Sequence, residues 1–170
     1  MGQCAAAFYA FVPSSLNVND YSAPPCHHRP LQIRTLLPGV ASERTTPDCA
    51  LQHETATTYD EILVGRLVVL TGGLLLNDGC ATAACVVPSL KLHNQFRLAC
   101  EASPTIAELA ALDLAADALL QLRVTSAAVL LDSRAALQLL ATDSCRHPVA
   151  TCIARKLEAA QDLGCDFLLQ

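Results

Sequence analysis

Apolar and polar positions along this chain have little period before about residue 58 and fall into regular runs after it. Leu63-Val-Gly-Arg-Leu-Val-Val-Leu70 predicts a buried strand, with Thr71-Gly72-Gly73 as its end. Leu74 to Gly79 then reads as a loop closing on the turn signal Asn77-Asp78-Gly79. Cys80 to Val87 reads as a second strand, broken by Pro88, and Leu90 to Ala99 as a third. Thr105 to Leu122 is built almost wholly of strong helix formers. At about 100° per residue, Leu109, Leu112, Ala116, Leu119 and Leu120 share one apolar arc, with Asp113, Asp117 and Gln121 on the far side. Ala127 to Leu131 is a continuous apolar run of the kind shown by a parallel strand covered on both faces. Helices are predicted from Ser133 to Leu140 and from His147-Pro148 to a stop at Gly164. Cys165 to Gln170 begins a fifth strand, at whose edge the pattern predicts fraying and exposed apolar surface.

Two carboxylates stand out in this frame. Glu108 lies within about 40° of Leu112 and Leu119 on the helical wheel, so it points along the edge of the face that packs on the core. Asp132 ends the apolar strand, at the carboxyl end where open α/β sheets place their sites. Convergence of the two would make a divalent-metal site. Each also has a structural reading. Thr105-x-x-Glu108 is a capping-box pattern, and either Asp132 or Ser133 can cap the helix that follows.

Composition narrows the field. Hydrophobic residues make up 52% of the 170 and charged residues 16%, enough for a sizeable core in one domain with a tail. The net charge of −5 gives no overall attraction to nucleic acid, so such binding needs a local basic patch. The densest basic cluster is Arg146, Arg155 and Lys156. Nine cysteines include no C-x-x-C pair, and Cys26-His27-His28 with Cys49 and His53 fits no standard zinc spacing. Cys85, Cys100 and Cys152 sit in apolar stretches and read as small core residues. The N-terminal Met1-Gly2-Gln3-Cys4 lacks the Ser or Thr of a myristoylation signal at position 6, and Leu67–Leu76 is too short to span a bilayer. The expectation is a soluble intracellular protein without a membrane partner.

Residues 13 to 58 hold six of the nine prolines (Pro13, Pro24, Pro25, Pro30, Pro38 and Pro47) and no helical or strand period, apart from a short helix expected over Thr55–Leu63. The division expected is a largely irregular arm over 1–58 and a folded domain over 59–170.

A three-strand meander followed by helix, strand, helices and strand resembles the element order of the ribonuclease H fold. Ala107-Glu-Leu-Ala-Ala-Leu112 resembles that family's second acidic motif and Leu131-Asp-Ser-Arg-Ala-Ala-Leu137 its third. Val69-Leu-Thr-Gly-Gly73, with Asn77-Asp-Gly-Cys-Ala-Thr-Ala-Ala83 after it, looks like its first. The preceding Leu36-Leu-Pro-Gly39 and Thr46-Pro47 look like the connector ahead of this domain in non-LTR retrotransposon polyproteins. The resemblance covers about residues 29 to 170. It implies an α/β fold with a mixed five-stranded sheet and flanking helices, the last helix of the family falling beyond this sequence. It also implies a type-1 domain that hydrolyses RNA in RNA–DNA hybrids with Mg²⁺ held by four carboxylates. Glu108 and Asp132 match two of these positions, Gly72 occupies the bridging one, and the fourth lies past Gln170. Asp78, six residues on, would use up the hairpin if it replaced the ligand at Gly72. The expectation is therefore a catalytically impaired remnant that binds Mg²⁺ and nucleic acid weakly at most. An active ribonuclease H and a plain α/β interaction domain are the alternatives.

Overall fold

A computed structural model describes residues 30–35, 47–142 and 147–170. Chain order gives α1 (Asp48–Leu63), β1 (Leu67–Leu75), β2 (Cys80–Val87), a 3₁₀ turn (Pro88–Leu90) and β3 (Leu92–Glu101). Then follow α2 (Pro104–Leu122), β4 (Ser126–Leu130), α3 (Arg134–Ala141), α4 (Pro148–Asp162) and β5 (Asp166–Leu169). The five strands form one sheet in the order β3-β2-β1-β4-β5. β1 is antiparallel to β2 and parallel to β4, while β2–β3 is antiparallel and β4–β5 parallel. This is the mixed five-stranded α/β sheet expected from the element order, with β1 at its centre.

Helix α2 is the organising element. Ser103 caps it, its Oγ accepting the Ile106 N–H, Pro104 follows, and Arg123 ends it in the left-handed conformation. One side lies on β1 and β2 and another against α4, so the helix is buried nearly all round, as its Ala- and Leu-rich composition requires. Its Ala107, Ala110 and Ala111 meet Ala81, Ala83 and Leu98 of the sheet. A second group of side chains joins α2, α3 and α4 to Val69, Val129, Phe167 and Leu169 in one core.

Three local expectations change. Strand β1 begins at Leu67 rather than Leu63, because α1 runs through Leu63 and the chain turns at Gly65 with φ +74°. It then continues through Gly72-Gly73 to Leu75 instead of stopping there, since pairing with β2 runs unbroken from Leu70↔Val86 to Leu75↔Ala81. Helix α1 starts at Asp48, not Thr55; its mostly exposed surface carries no amphipathic stripe for the sequence to reveal. The far side of α2 is partly covered, with Gln121 exposed but Asp113 and Asp117 held by a neighbouring helix. Lys156 of α4, 9% exposed, reaches across to place Nζ 2.7 Å from Asp113 Oδ1 and 2.8 Å from Asp117 Oδ1.

The edge of β5 is covered as well. Leu169 N–H donates to the Gln32 carbonyl at 2.9 Å and Arg34 N–H to the Leu169 carbonyl at 2.8 Å, so the arm lies parallel to the strand. Leu31 and Ile33 pack on the core, and Phe167, Leu168 and Leu169 are buried. The exposed apolar edge expected at β5 is closed by a piece of the Pro-rich arm.

Candidate active site

Glu108 sits in the second turn of α2, above the point where β1 passes beneath the helix. The approach there is unusually close. A side-chain carbon on Gly73 would lie 2.4 Å from the Ala107 carbonyl carbon and 2.4 Å from the Glu108 nitrogen. Only glycine lets helix and strand backbones come this near. The same contact brings the Gly73 N–H towards the Glu108 carboxylate, where it favours the charged form.

Asp132 comes from β4. The parallel register of β4 with β1 runs from Leu67↔Ala127 to Leu70↔Leu130, where the pairing ends, and Gly72 and Asp132 each lie two residues further on. The Thr71 hydroxyl, 3.2 Å from the Leu130 carbonyl to which it donates, ties the two strands together just before that point. Asp132 is exposed, whereas Glu108 is 7% exposed and its Oε2 has no hydrogen-bond partner among the described residues. Burial lifts the Glu108 carboxyl above its ordinary range, the Gly73 N–H partly offsets this, and the Asp132 carboxylate, by its charge and a hydrogen bond, raises it further. The two carboxylates therefore meet at the end of the parallel strands β1 and β4.

Their capping readings do not hold. Ser103, not Thr105, caps α2, which leaves Glu108 outside any capping box. Ser133 caps α3, its Oγ accepting the Ala136 N–H, so Asp132 is not needed there. Gly72 leaves open space at its own position: a side-chain carbon on it would meet nothing within 4 Å. Asp78 does not fill this space. It lies on the β1–β2 turn, accepting the Cys80 N–H and paired with Arg97, which together hold its carboxyl below the usual range.

The donor set can be weighed against Mg²⁺. Mg²⁺ is commonly held by one or two carboxylates plus water and substrate phosphate, so Glu108, with its unpartnered oxygen, and Asp132 suit one such ion. No group of three His, Cys, Asp or Glu able to hold a metal occurs among the described residues, so a two-ion clamp has too few ligands there. Of the cysteines and histidines considered for zinc, Cys26, His27 and His28 lie outside the described residues, and Cys49 is exposed. Burial pushes the Cys85 thiol up to about 11, which suits a packing role. Sequence reasoning missed Gly73, whose signal was only its place in a Gly-Gly pair.

No family model matches the sequence, and comparison with curated proteins finds no match. Among solved structures, the chain is similar to the N-terminal RNase H domain of a Mycobacterium tuberculosis protein, determined as a fusion with maltose-binding protein. The identity is 19% and the TM-score 0.43, over 61% of this chain and 84% of that one. Among the described residues, no helix is long and apolar enough to cross a membrane.

Proposed function

We propose that residues 59–170 form a ribonuclease H-like, nucleic-acid-associated domain of retrotransposon descent whose hydrolytic chemistry is impaired. One observation carries the reading: Glu108 lies against Asp132 just past the last β1–β4 pair, and the β1 residue two positions beyond that pair is Gly72. A hydrolytic site of this kind works by holding cations against a phosphate, with the attacking and leaving oxygens both stabilised. Mg²⁺ would supply that charge. The chain's contribution is two carboxylates that face one another and a glycine where a third would bridge. Loss of the bridging ligand is expected to slow hydrolysis by roughly a thousand-fold or more.

The test is cleavage of a labelled RNA–DNA hybrid at millimolar Mg²⁺ or Mn²⁺ by the native chain, Asp132→Asn and Gly72→Asp. The native chain should give no cleavage that depends on Asp132. Gly72→Asp fits sterically but should recover little by itself, because such ligands act as a unit. Cleavage by the native chain that disappears in Asp132→Asn would establish a working nuclease and end the impaired reading.

A further inference from the structure

Nucleic-acid association by a chain of net charge −5 requires local positive charge near the carboxylate pair. In the densest basic cluster of the sequence, Lys156 is already taken by carboxylates, buried between Asp113 and Asp117, and Arg146 lies outside the described residues. Arg66 pairs with Asp166 at the start of β5, and Arg97 with Asp78 at the β1–β2 turn. Among the described residues, two exposed arginines stand at the sheet end that carries Asp132. Arg134 is the first residue of α3, two positions after Asp132. Arg34 is placed there by the arm.

The strand registers fix its position. Ile33 is bridged in parallel to Leu169, which sets Arg34 beside Gln170. The β4–β5 register, Val129↔Leu169, sets Gln170 in turn beside Leu130. Hydrogen bonds hold this corner: Gln170 N–H donates to the Val129 carbonyl at 3.0 Å and Leu131 N–H to the Gln170 carbonyl at 2.8 Å. The row Leu70, Leu130, Gln170, Arg34 thus crosses the sheet just before Gly72 and Asp132. With strands about 4.8 Å apart, Arg34 stands roughly 10 Å from Leu130, and Asp132 follows two residues later. Neither Arg34 nor Arg134 has an ion pair with another described residue.

We propose that Arg34 and Arg134 form a rim that holds the phosphodiester groups of a nucleic-acid strand across the carboxyl ends of β4 and β5, so that the arm is part of the binding surface. The inference rests on the nucleic-acid reading above and adds to it the residues that bind. It also gives the β5 edge contact a second purpose, since the hydrogen bonds that cover the strand fix the backbone of Arg34.

The experiment is fluorescence anisotropy with a labelled RNA–DNA hybrid and with polyphosphate, over a salt series. The proteins are the full native chain, Arg34→Ala, Arg34→Lys, Arg134→Ala and Arg123→Ala. Arg123, exposed at the opposite end of β4, is the control. Arg34→Ala and Arg134→Ala should each weaken hybrid binding roughly three- to tenfold and flatten the log K against log salt slope by about 0.9. Arg34→Lys should keep the slope, and Arg123→Ala should match the native chain. Hybrid binding with Arg34→Ala and Arg134→Ala both equal to Arg123→Ala would overturn the rim and leave the nucleic-acid reading standing. Binding of polyphosphate but not hybrid, lost in Arg34→Ala, would keep an anion rim and overturn its assignment to nucleic acid. Binding of neither would overturn the rim outright.

Discussion

Replacing Gly73 by alanine tests whether the backbone contact that presents Glu108 is as tight as the coordinates require. The new methyl would sit 2.4 Å from two backbone atoms of α2, against 3.4–4 Å for ordinary contact, so the helix must retreat by about 1 Å. Backbone atoms cannot rotate out of the way as a flexible side chain can. The retreat also loosens Ala107, Ala110 and Ala111 from Ala81 and Ala83, and a gap of this size forfeits about a quarter to a half of each attraction. Overpacking costs about 1–3 kcal/mol, and a clash against fixed backbone belongs at the upper end. Relief of glycine's backbone entropy in a strand returns about 0.5–1 kcal/mol, leaving a net loss of about 2–2.5 kcal/mol. With a urea m-value of about 2 kcal/mol/M, the unfolding midpoint should fall by about 1 M. The companion Gly72→Ala meets open space, so only the entropy gain applies and its midpoint should rise by about 0.3 M. Circular dichroism at the helical band can follow both, since the chain has no Trp. Midpoints for the two variants within about 0.3 M of each other would show that the helix is not held against the strand at Gly73.

Lys156→Met should destabilise by up to about 3 kcal/mol, because it leaves the half-buried Asp113 carboxylate without a cation; Lys156→Met with Asp113→Asn should recover part of this, and equal losses in the two would refute the pair. Glu108 titrates above its unfolded value, so its stabilising contribution is complete below about 4.5 and is lost as pH rises through the folded pKa. Glu108→Gln should therefore gain stability relative to the native chain as pH goes from 4.5 towards 8, and parallel pH curves from denaturant melts would contradict the burial of that carboxyl. Ile33→Asp should release the arm from β5 and raise hydrogen exchange at Phe167–Leu169 well above that at Val129; unchanged protection would mean the bridge contributes nothing.

The parts of the fold that composition determines were legible in the sequence. Helix α2 could be recognised because Ala and Leu run through 19 residues with a Ser-Pro start, and β4 because three small apolar residues in a row leave it no exposed face. The order of these elements led to the sheet. What the sequence hid are choices between local partners. The pattern Thr105-x-x-Glu108 looks like a cap until Ser103, two residues earlier, is seen to hold that role. The continuation of β1 past Gly72-Gly73 depends on β2 pairing beside it, and glycines carry no alternating signal. The ion triad at Lys156 joins residues more than 35 positions apart, so a wheel drawn for α2 alone could not show what its acidic side meets. The arm's grip on β5 spans more than 130 positions and uses only backbone groups with two apolar side chains, Leu31 and Ile33.

The site's geometry and its ligands have separate causes here. Glu108 is held in place by the packing of α2 on β1, through a glycine and three alanines that would be required in any domain with this helix-on-sheet contact. Asp132 is held by the length of β4 and by the Ser133 cap that starts α3 immediately afterwards. Neither placement depends on a metal or on a neighbouring carboxylate. Gly72 differs, since its side-chain direction opens into free space and packing sets no demand on it. A chain selected only to fold would keep the first two positions well placed and let the third vary. Retention of Glu108 itself is harder to explain by folding, because a carboxyl 7% exposed with one oxygen unpartnered works against stability. That residual cost separates a site still in use for binding from one kept only by its scaffold, and the pH comparison with Glu108→Gln measures it directly.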